Sequence, residues 1–235
     1  YKKRGGNVLW VGHPMIDLTK KLPLKKDART ILNLRLNQNI LLLMPASRPQ
    51  ELHYVLPTFM RAAKKLQQKY PNLVVYIPSC RRNFDEIFKK AFRKYQVKGH
   101  VISQKDNAKL KPYIYSLTKI ALCKSGTVNM ELALYGIPQI VGYRVSRVTA
   151  FIAKKILNFK VRFISPVNLL VNKLIIPEFV QREFDEKKIF YKSCRILEGK
   201  SEKIKIKKGY AFLKKELGEK GVVQRAAREI INSII

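Results

Sequence analysis

Acid is what this chain has least of: 16 aspartates and glutamates face 48 lysines and arginines in 235 residues, a formal charge of +32. No Asp-x-Asp pair is present to hold a magnesium-bound diphosphate, and the opposed carboxylates of a glycosidase cannot be picked out. Cysteine is scarce too. Cys80, Cys123 and Cys194 stand far apart without Cys-x-x-Cys spacing, which argues against a disulfide framework and fits buried thiols in a reducing compartment. His13, His53 and His100 have no ligand spacing with cysteines or acids, so no metal is expected. The longest apolar runs, such as Ile40 to Met44, fall short of the roughly 20 residues that span a bilayer. There is no Gly-x-Ser-x-Gly elbow and no Walker loop, which leaves serine hydrolysis and phosphoryl transfer from ATP without support. A helix-turn-helix, a zinc finger and an aromatic RNP signature are all missing, so nucleic acid is not the expected partner despite the charge.

What is present reads as a globular core, with 46% hydrophobic residues. The positive charge would draw any polyanion. Its lysine pairs, among them Lys25-Lys26, Lys64-Lys65 and Lys207-Lys208, are spread along the chain rather than gathered in a stripe. Lysine-rich coding bias, a membrane-surface role and nucleic-acid binding are its three readings. The start, YKKRGGNVLWVGHP, enters the strand-like run VLWVG without a methionine or a secretory signal, and reads as a cut through a longer protein.

Apolar runs and amphipathic stretches alternate. NILLLM predicts a buried strand, and the helix after it carries Leu52, Val55, Leu56, Phe59, Ala63 and Leu66 on one face. LVVYIPS, HVIS, KIALCKS and QIVGY predict further strands, VRFIS one more, and the segments between them helices. Beyond Pro177 the pattern is helical, with SEKIKIKKGY charged enough to be a mobile connection. The alternation predicts an α/β fold, a Rossmann-like doubly wound parallel sheet, with ligands bound outside the carboxyl ends of its strands. Residues 1–37 read as an inter-domain strand and connection, and 38–235 as the domain itself.

Several strand-to-helix loops carry polar groups suited to an anion. Ser125-Gly126-Thr127 opens a helix whose first N–H groups lack internal partners; an anion is welcome there, though on the tripeptide alone a plain cap is the first reading. Glu131, roughly one turn further on, either accepts from a ribose diol or is a solvated first-turn acid. In PASRPQE, Ser47 and Arg48 stand just before a helix, and arginine's planar fork suits a phosphate. His13, in Gly12-His13-Pro14, reads first as a structural hydrogen-bonder.

Taken in order, VGHPMID, LLLMPASRPQE, SGTVNMELALYGIPQIVGYR and SPVNLLVNKLIIPEFVQ resemble the carboxyl-terminal half of the lipid-A-disaccharide synthase family, from about Val8 to Gln181. The resemblance implies the second Rossmann-like domain of an inverting GT-B glycosyltransferase. Such an enzyme moves a diacylated glucosamine from UDP-2,3-diacylglucosamine to 2,3-diacylglucosamine 1-phosphate. It needs no cofactor and no metal. It further implies that Ser47 and Arg48 meet the donor diphosphate, that Ser125, Gly126 and Thr127 close round it, and that Glu131 holds the ribose. Asn168 would lie near the uracil or sugar, Gln181 would close the donor site, and His13 and Arg144 would face an inter-domain cleft. The base is expected in a missing amino-terminal half, so this chain should bind without turnover.

Two departures stand out: Ala46 replaces the family's usual glycine, and Val167 splits its Pro-Asn pair. The segment RVTAFIAKKILNFK reads as a core helix or as a basic amphipathic element on an anionic bilayer. A cytoplasmic enzyme peripheral to the inner membrane, or its plastid equivalent, is the expected setting, and a homodimer stays open. The competing readings are a UDP-N-acetylglucosamine epimerase-like enzyme and a basic nucleic-acid-binding protein.

Overall fold

The computed structural model describes residues 5, 6, 8–146 and 162–234. RVTAFIAKKILNFK lies outside the described residues from Arg147 on. Among the described residues six strands form one parallel sheet: β1 (Asn39–Met44), β2 (Leu73–Pro78), β3 (Gly99–Ile102), β4 (Thr118–Lys124), β5 (Gln139–Tyr143) and β6 (Glu178–Val180). Their order is β3-β2-β1-β4-β5-β6, and every neighbouring pair is parallel.

Continuous apolar runs become central strands because both faces of a doubly wound sheet are covered. Ile40, Leu41, Leu42 and Leu43 of β1 are all fully buried, as are Ile120 to Cys123 of β4. The helix α2 (Pro49–Lys69) starts at Arg48, with Pro49 in the first turn, where its missing N–H costs nothing. Its predicted apolar face is its buried face. Then come α3 (Arg82–Tyr95), α4 (Gln104–Leu117) and α5 (Thr127–Leu134), the last ending at Gly136 with φ +72°.

The carboxyl-terminal part departs from the sequence pattern. Residues 162–165 form no strand, and neither does VLWVG, of which Leu9 and Trp10 are exposed. Instead β6 follows Pro177 directly, after α6 (Pro166–Val171). Beyond it come α7 (Glu186–Glu198), α8 (Lys200–Leu217) and α9 (Val222–Asn232). The charged stretch near Ser201 is therefore helix: α8 buries Ile206, Tyr210, Leu213 and Leu217 and exposes its lysines. On one flank α2 packs with α3 and α7; on the other α4 packs with α1 (Lys25–Ile31), and α5 with α6 and α8.

The first described segment is strapped to the last helix. His13 N donates to Leu217 O at 2.9 Å, and the Asp17 carboxylate accepts from Gly221 N at 2.7 Å and Val223 N at 3.0 Å. The Arg225 guanidinium donates to Val11 O at 3.0 and 3.1 Å. Gly12, with φ +101°, lets this strap lie close: a Cβ there would sit 2.8 Å from Val222.

Candidate functional site

Strand order reverses at β1. The chain runs from β1 through β2 to β3 at one edge, then returns to place β4 against β1 on the other side. A crevice opens at such a switch point, outside the carboxyl ends of the two strands. The loops that border it are Pro45 to Arg48, after β1, and Ser125-Gly126, after β4.

Arg48 is the N-cap residue of α2, in extended backbone, and both Ser47 and Arg48 are exposed. Among the described residues neither side chain has a hydrogen-bond or ion-pair partner. A guanidinium left without a carboxylate beside a helix N-terminus concentrates positive potential. The backbone at Ala46 is not left-handed and its methyl packs on the core. Alanine in this loop therefore introduces no backbone strain.

Across the crevice, α5 starts at Gly126, whose N–H donates to Asn129 Oδ1 at 2.8 Å. The Thr127 and Val128 amides have no acceptor among the described residues, and Thr127 is exposed. Asn129 is fully buried and locks this turn into the sheet. Its Nδ2 lies 3.2 Å from Cys123 Sγ and 3.1 Å from Gln139 Oε1, while Gln139 Nε2 donates to Asn129 O at 2.9 Å and Tyr210 OH at 3.1 Å. The Tyr210 hydroxyl in turn donates to Ile137 O at 2.9 Å. Burial pushes the Cys123 thiol up to about 12 and the Tyr210 phenol well above its ordinary range. At neutral pH both stay protonated, so Cys123 is a fixed hydrogen-bonding group and not a nucleophile.

A third segment joins them. The Ser125 hydroxyl donates to Ile164 O. The Glu178 carboxylate gathers the turn beyond, accepting from Ile164 N at 2.7 Å, Ser165 N at 2.9 Å, Ser165 Oγ at 2.6 Å and Asn168 Nδ2 at 2.7 Å. SGT, SPVN and PEF, far apart in sequence, are one hydrogen-bonded constellation. Further into α5, Glu131 is half-buried with Oε1 2.7 Å from Lys111 Nζ. The neighbouring Tyr115 hydroxyl is buried, and burial, then the charge and proximity of Glu131, push its phenol upward.

The family model described as lipid-A-disaccharide synthetase matches residues 1–234. This chain belongs to the lipid-A-disaccharide synthase family. Curated relatives include the lipid-A-disaccharide synthases of Prochlorococcus marinus (strain MIT 9313), 44% identical over 99% of this chain and 59% of the relative, and of Gloeothece citriformis (strain PCC 7424), 36% identical over 100% and 60%. The chain thus spans about 60% of the length of these relatives. Among solved structures, a glycosyltransferase from Rickettsia africae matches with a TM-score of 0.60 at 13% identity, covering 89% of this chain and 51% of that one. The S. aureus MnaA–UDP co-structure matches with 0.59 at 12%, covering 93% and 50%. At such identities these likenesses establish the fold, that of one half of a GT-B enzyme, which is the fold class expected from the sequence.

Several residues singled out from the synthase motifs have their side chains engaged elsewhere. Asn168 is fully buried, and its amide is complete: Nδ2 donates to Ile176 O and Glu178, and Oδ1 accepts from Ile175 N at 2.8 Å and Ile176 N at 3.0 Å. With both amide atoms so engaged, Asn168 shapes the turn between α6 and β6. Val167 fills the core from the first turn of α6. The Arg144 fork donates to Gln181 O at 3.1 and 3.3 Å and to Phe184 O, and lies 5.2 Å over the Phe184 ring. Arg144 is thereby a brace between β5 and the turn after β6. Gln181 has φ +52° and contributes its carbonyl to that brace. His13 Nδ1 accepts from Met15 N at 3.3 Å, capping a single 3-10 turn.

Sequence reasoning missed Asn129, Gln139, Glu178, Lys124 and Glu51. Gln139 was the readable one, a lone amide opening an apolar strand. Glu178 carried the signal of a rare acid just after a proline. Among the described residues no group of three or more His, Cys, Asp or Glu could hold a metal ion, and no helix is long and apolar enough to cross a membrane.

Proposed function

We propose that residues 38–235 form the sugar-nucleotide half of a lipid-A-disaccharide synthase, with residues 1–37 as the connection to its other half. The donor is UDP-2,3-diacylglucosamine and the acceptor 2,3-diacylglucosamine 1-phosphate. What supports this reading is that the loops after β1 and β4 border one switch point and carry Arg48 and the Thr127 and Val128 amides, none with a partner among the described residues, with Glu131 one turn further along α5. That the S. aureus MnaA protein, which shares this fold, has a co-structure with UDP supports a uridine nucleotide as the ligand.

In the transfer, the acceptor's 6-hydroxyl oxygen forms a bond to the donor's anomeric carbon from the face opposite the leaving group. The bond from that carbon to the diphosphate oxygen breaks, and UDP departs with the electron pair. The hydroxyl proton passes to a base contributed by the other half. Charge grows on the diphosphate as it leaves, and Arg48, Ser47 and the α5 amides gain most interaction at that moment, which is what accelerates a reaction. Gly126 keeps side-chain bulk away from the phosphates, the Thr127 hydroxyl adds a donor, and the Glu131 carboxylate accepts from the ribose. Ser125 and Gln181 support the site through their loops.

Both substrates carry acyl chains, so peripheral contact with an anionic membrane on its cytosolic side suits the positive charge; flotation with anionic vesicles, absent with neutral ones, would test it. Calorimetry with UDP tests the donor site. The wild-type chain should bind, and Arg48→Ala should lose about tenfold or more, the worth of a charge-assisted contact. Unchanged affinity in the variant would refute the assignment. The chain alone should bind UDP-diacylglucosamine without releasing UDP.

A further inference from the structure

The crevice holds an acid as well as cations. Glu51 is the third residue of α2, in the turn that Arg48 caps. Its Oε1 lies 2.5 Å from Lys124 Nζ, the two side chains are 17% and 19% exposed, and its Oε2 is buried without a hydrogen bond. Lys124 ends β4, immediately before Ser125, and its ammonium also sits 5.5 Å from the centre of the Tyr143 ring at the end of β5. One ammonium thus stands among the carboxyl ends of β1, β4 and β5, between the two loops that border the crevice.

A carboxylate in this position works against a diphosphate ligand. Like charges a few ångströms apart in partly buried surroundings oppose one another strongly, by about tenfold or more in a binding constant. A partly buried ion pair contributes little net stability, so stability is a weak reason for the pair to exist. We propose that Lys124 is a positioning residue that masks the Glu51 carboxylate from the donor diphosphate while holding the Arg48 loop against the Ser125 loop. This rests on the donor-site reading above. It assigns a role to a cation that does not itself have to touch phosphate, and it makes Glu51 harmful only when its partner is gone.

The test is a calorimetric comparison of UDP with uridine, which lacks phosphate, for wild type, Lys124→Met, Glu51→Gln and the double variant. Lys124→Met should lose about tenfold or more in UDP affinity and little in uridine affinity, and the double variant should recover most of that loss. Lys124→Arg should bind UDP like wild type, and serves as the folded comparison if Lys124→Met proves unstable in thermal melts. Equal losses for UDP and uridine, or a double variant no better than Lys124→Met, would overturn the mask in favour of simple packing. A wild-type chain that prefers UDP no more than uridine, with Arg48→Ala the same, would instead sink the donor-site reading and the mask with it.

Discussion

At the first turn of α5 a single side-chain amide decides how the Ser-Gly-Thr loop sits. Asn129 Oδ1 fixes Gly126 N–H at 2.8 Å, and its Nδ2 reaches Cys123 and Gln139 in the sheet. Asn129→Ala would leave the Gln139 carbonyl oxygen short of a donor in the interior and Gly126 N–H uncapped. The expected cost is about 1–3 kcal/mol of stability, read by chemical denaturation, together with weaker UDP binding. Normal affinity in a folded variant would mean that the loop holds its shape without Asn129. At this scale the sequence was legible where the chemistry is local. Arg48 before a helix and Ser-Gly-Thr at a helix mouth need only their neighbours to be understood. The structural part Asn168 plays was not legible, because its partners, Ile175, Ile176 and Glu178, are brought round by a turn that has no periodicity to betray it.

Among the elements, β5 shows how tightly the sheet is packed. A Cβ on Gly142 would lie 2.1 Å from Phe184 Cε2, inside a ring that is fully buried, edge-on to Phe59 at 5.1 Å and covered by Arg144. Gly142→Ala should therefore destabilise the fold by about 1–3 kcal/mol through overpacking, seen as a lower denaturation midpoint at unchanged slope. The strap to α9 responds to acid instead. The hydrogen bond from Val223 N, above all, holds the Asp17 carboxyl below its ordinary 3.8. A depressed carboxylate stabilises above its unfolded value and stops doing so as pH falls through its folded one. Amide protection at Gly221 and Val223 should thus decline only below pH 3.8, and Asp17→Asn should remove that step from the hydrogen-exchange profile. The long helices and central strands were readable from their apolar spacing. β6 was not, since three half-buried residues become a strand only by pairing Glu178, Phe179 and Val180 with β5. VLWVG departs the opposite way: among the described residues its apolar run has no strand to pair with.

For the whole molecule, a charge of +32 should make every anion bind better at low salt, whatever its site. The discriminating measurement is competition. UDP should displace a labelled UDP-sugar at any ionic strength, whereas duplex DNA should be held only loosely and lost as salt rises, with the steep logarithmic slope of counterion release. A DNA affinity that UDP cannot dent and that exceeds the affinity for UDP would return nucleic acid to first place.

The switch-point topology also bears on how the site comes into being. β1 pairs with β2 soon after it in the chain, but its other neighbour is β4, Leu41 meeting Ile120 across two intervening strand-helix units. Loop-closure entropy makes such distant parallel pairing slow relative to local contacts. The crevice between the two strands does not exist until that seam is zipped. During refolding, helix content should accordingly return before nucleotide affinity, and a fluorescent UDP analogue would report the closing of the β1–β4 seam as a kinetic phase of its own.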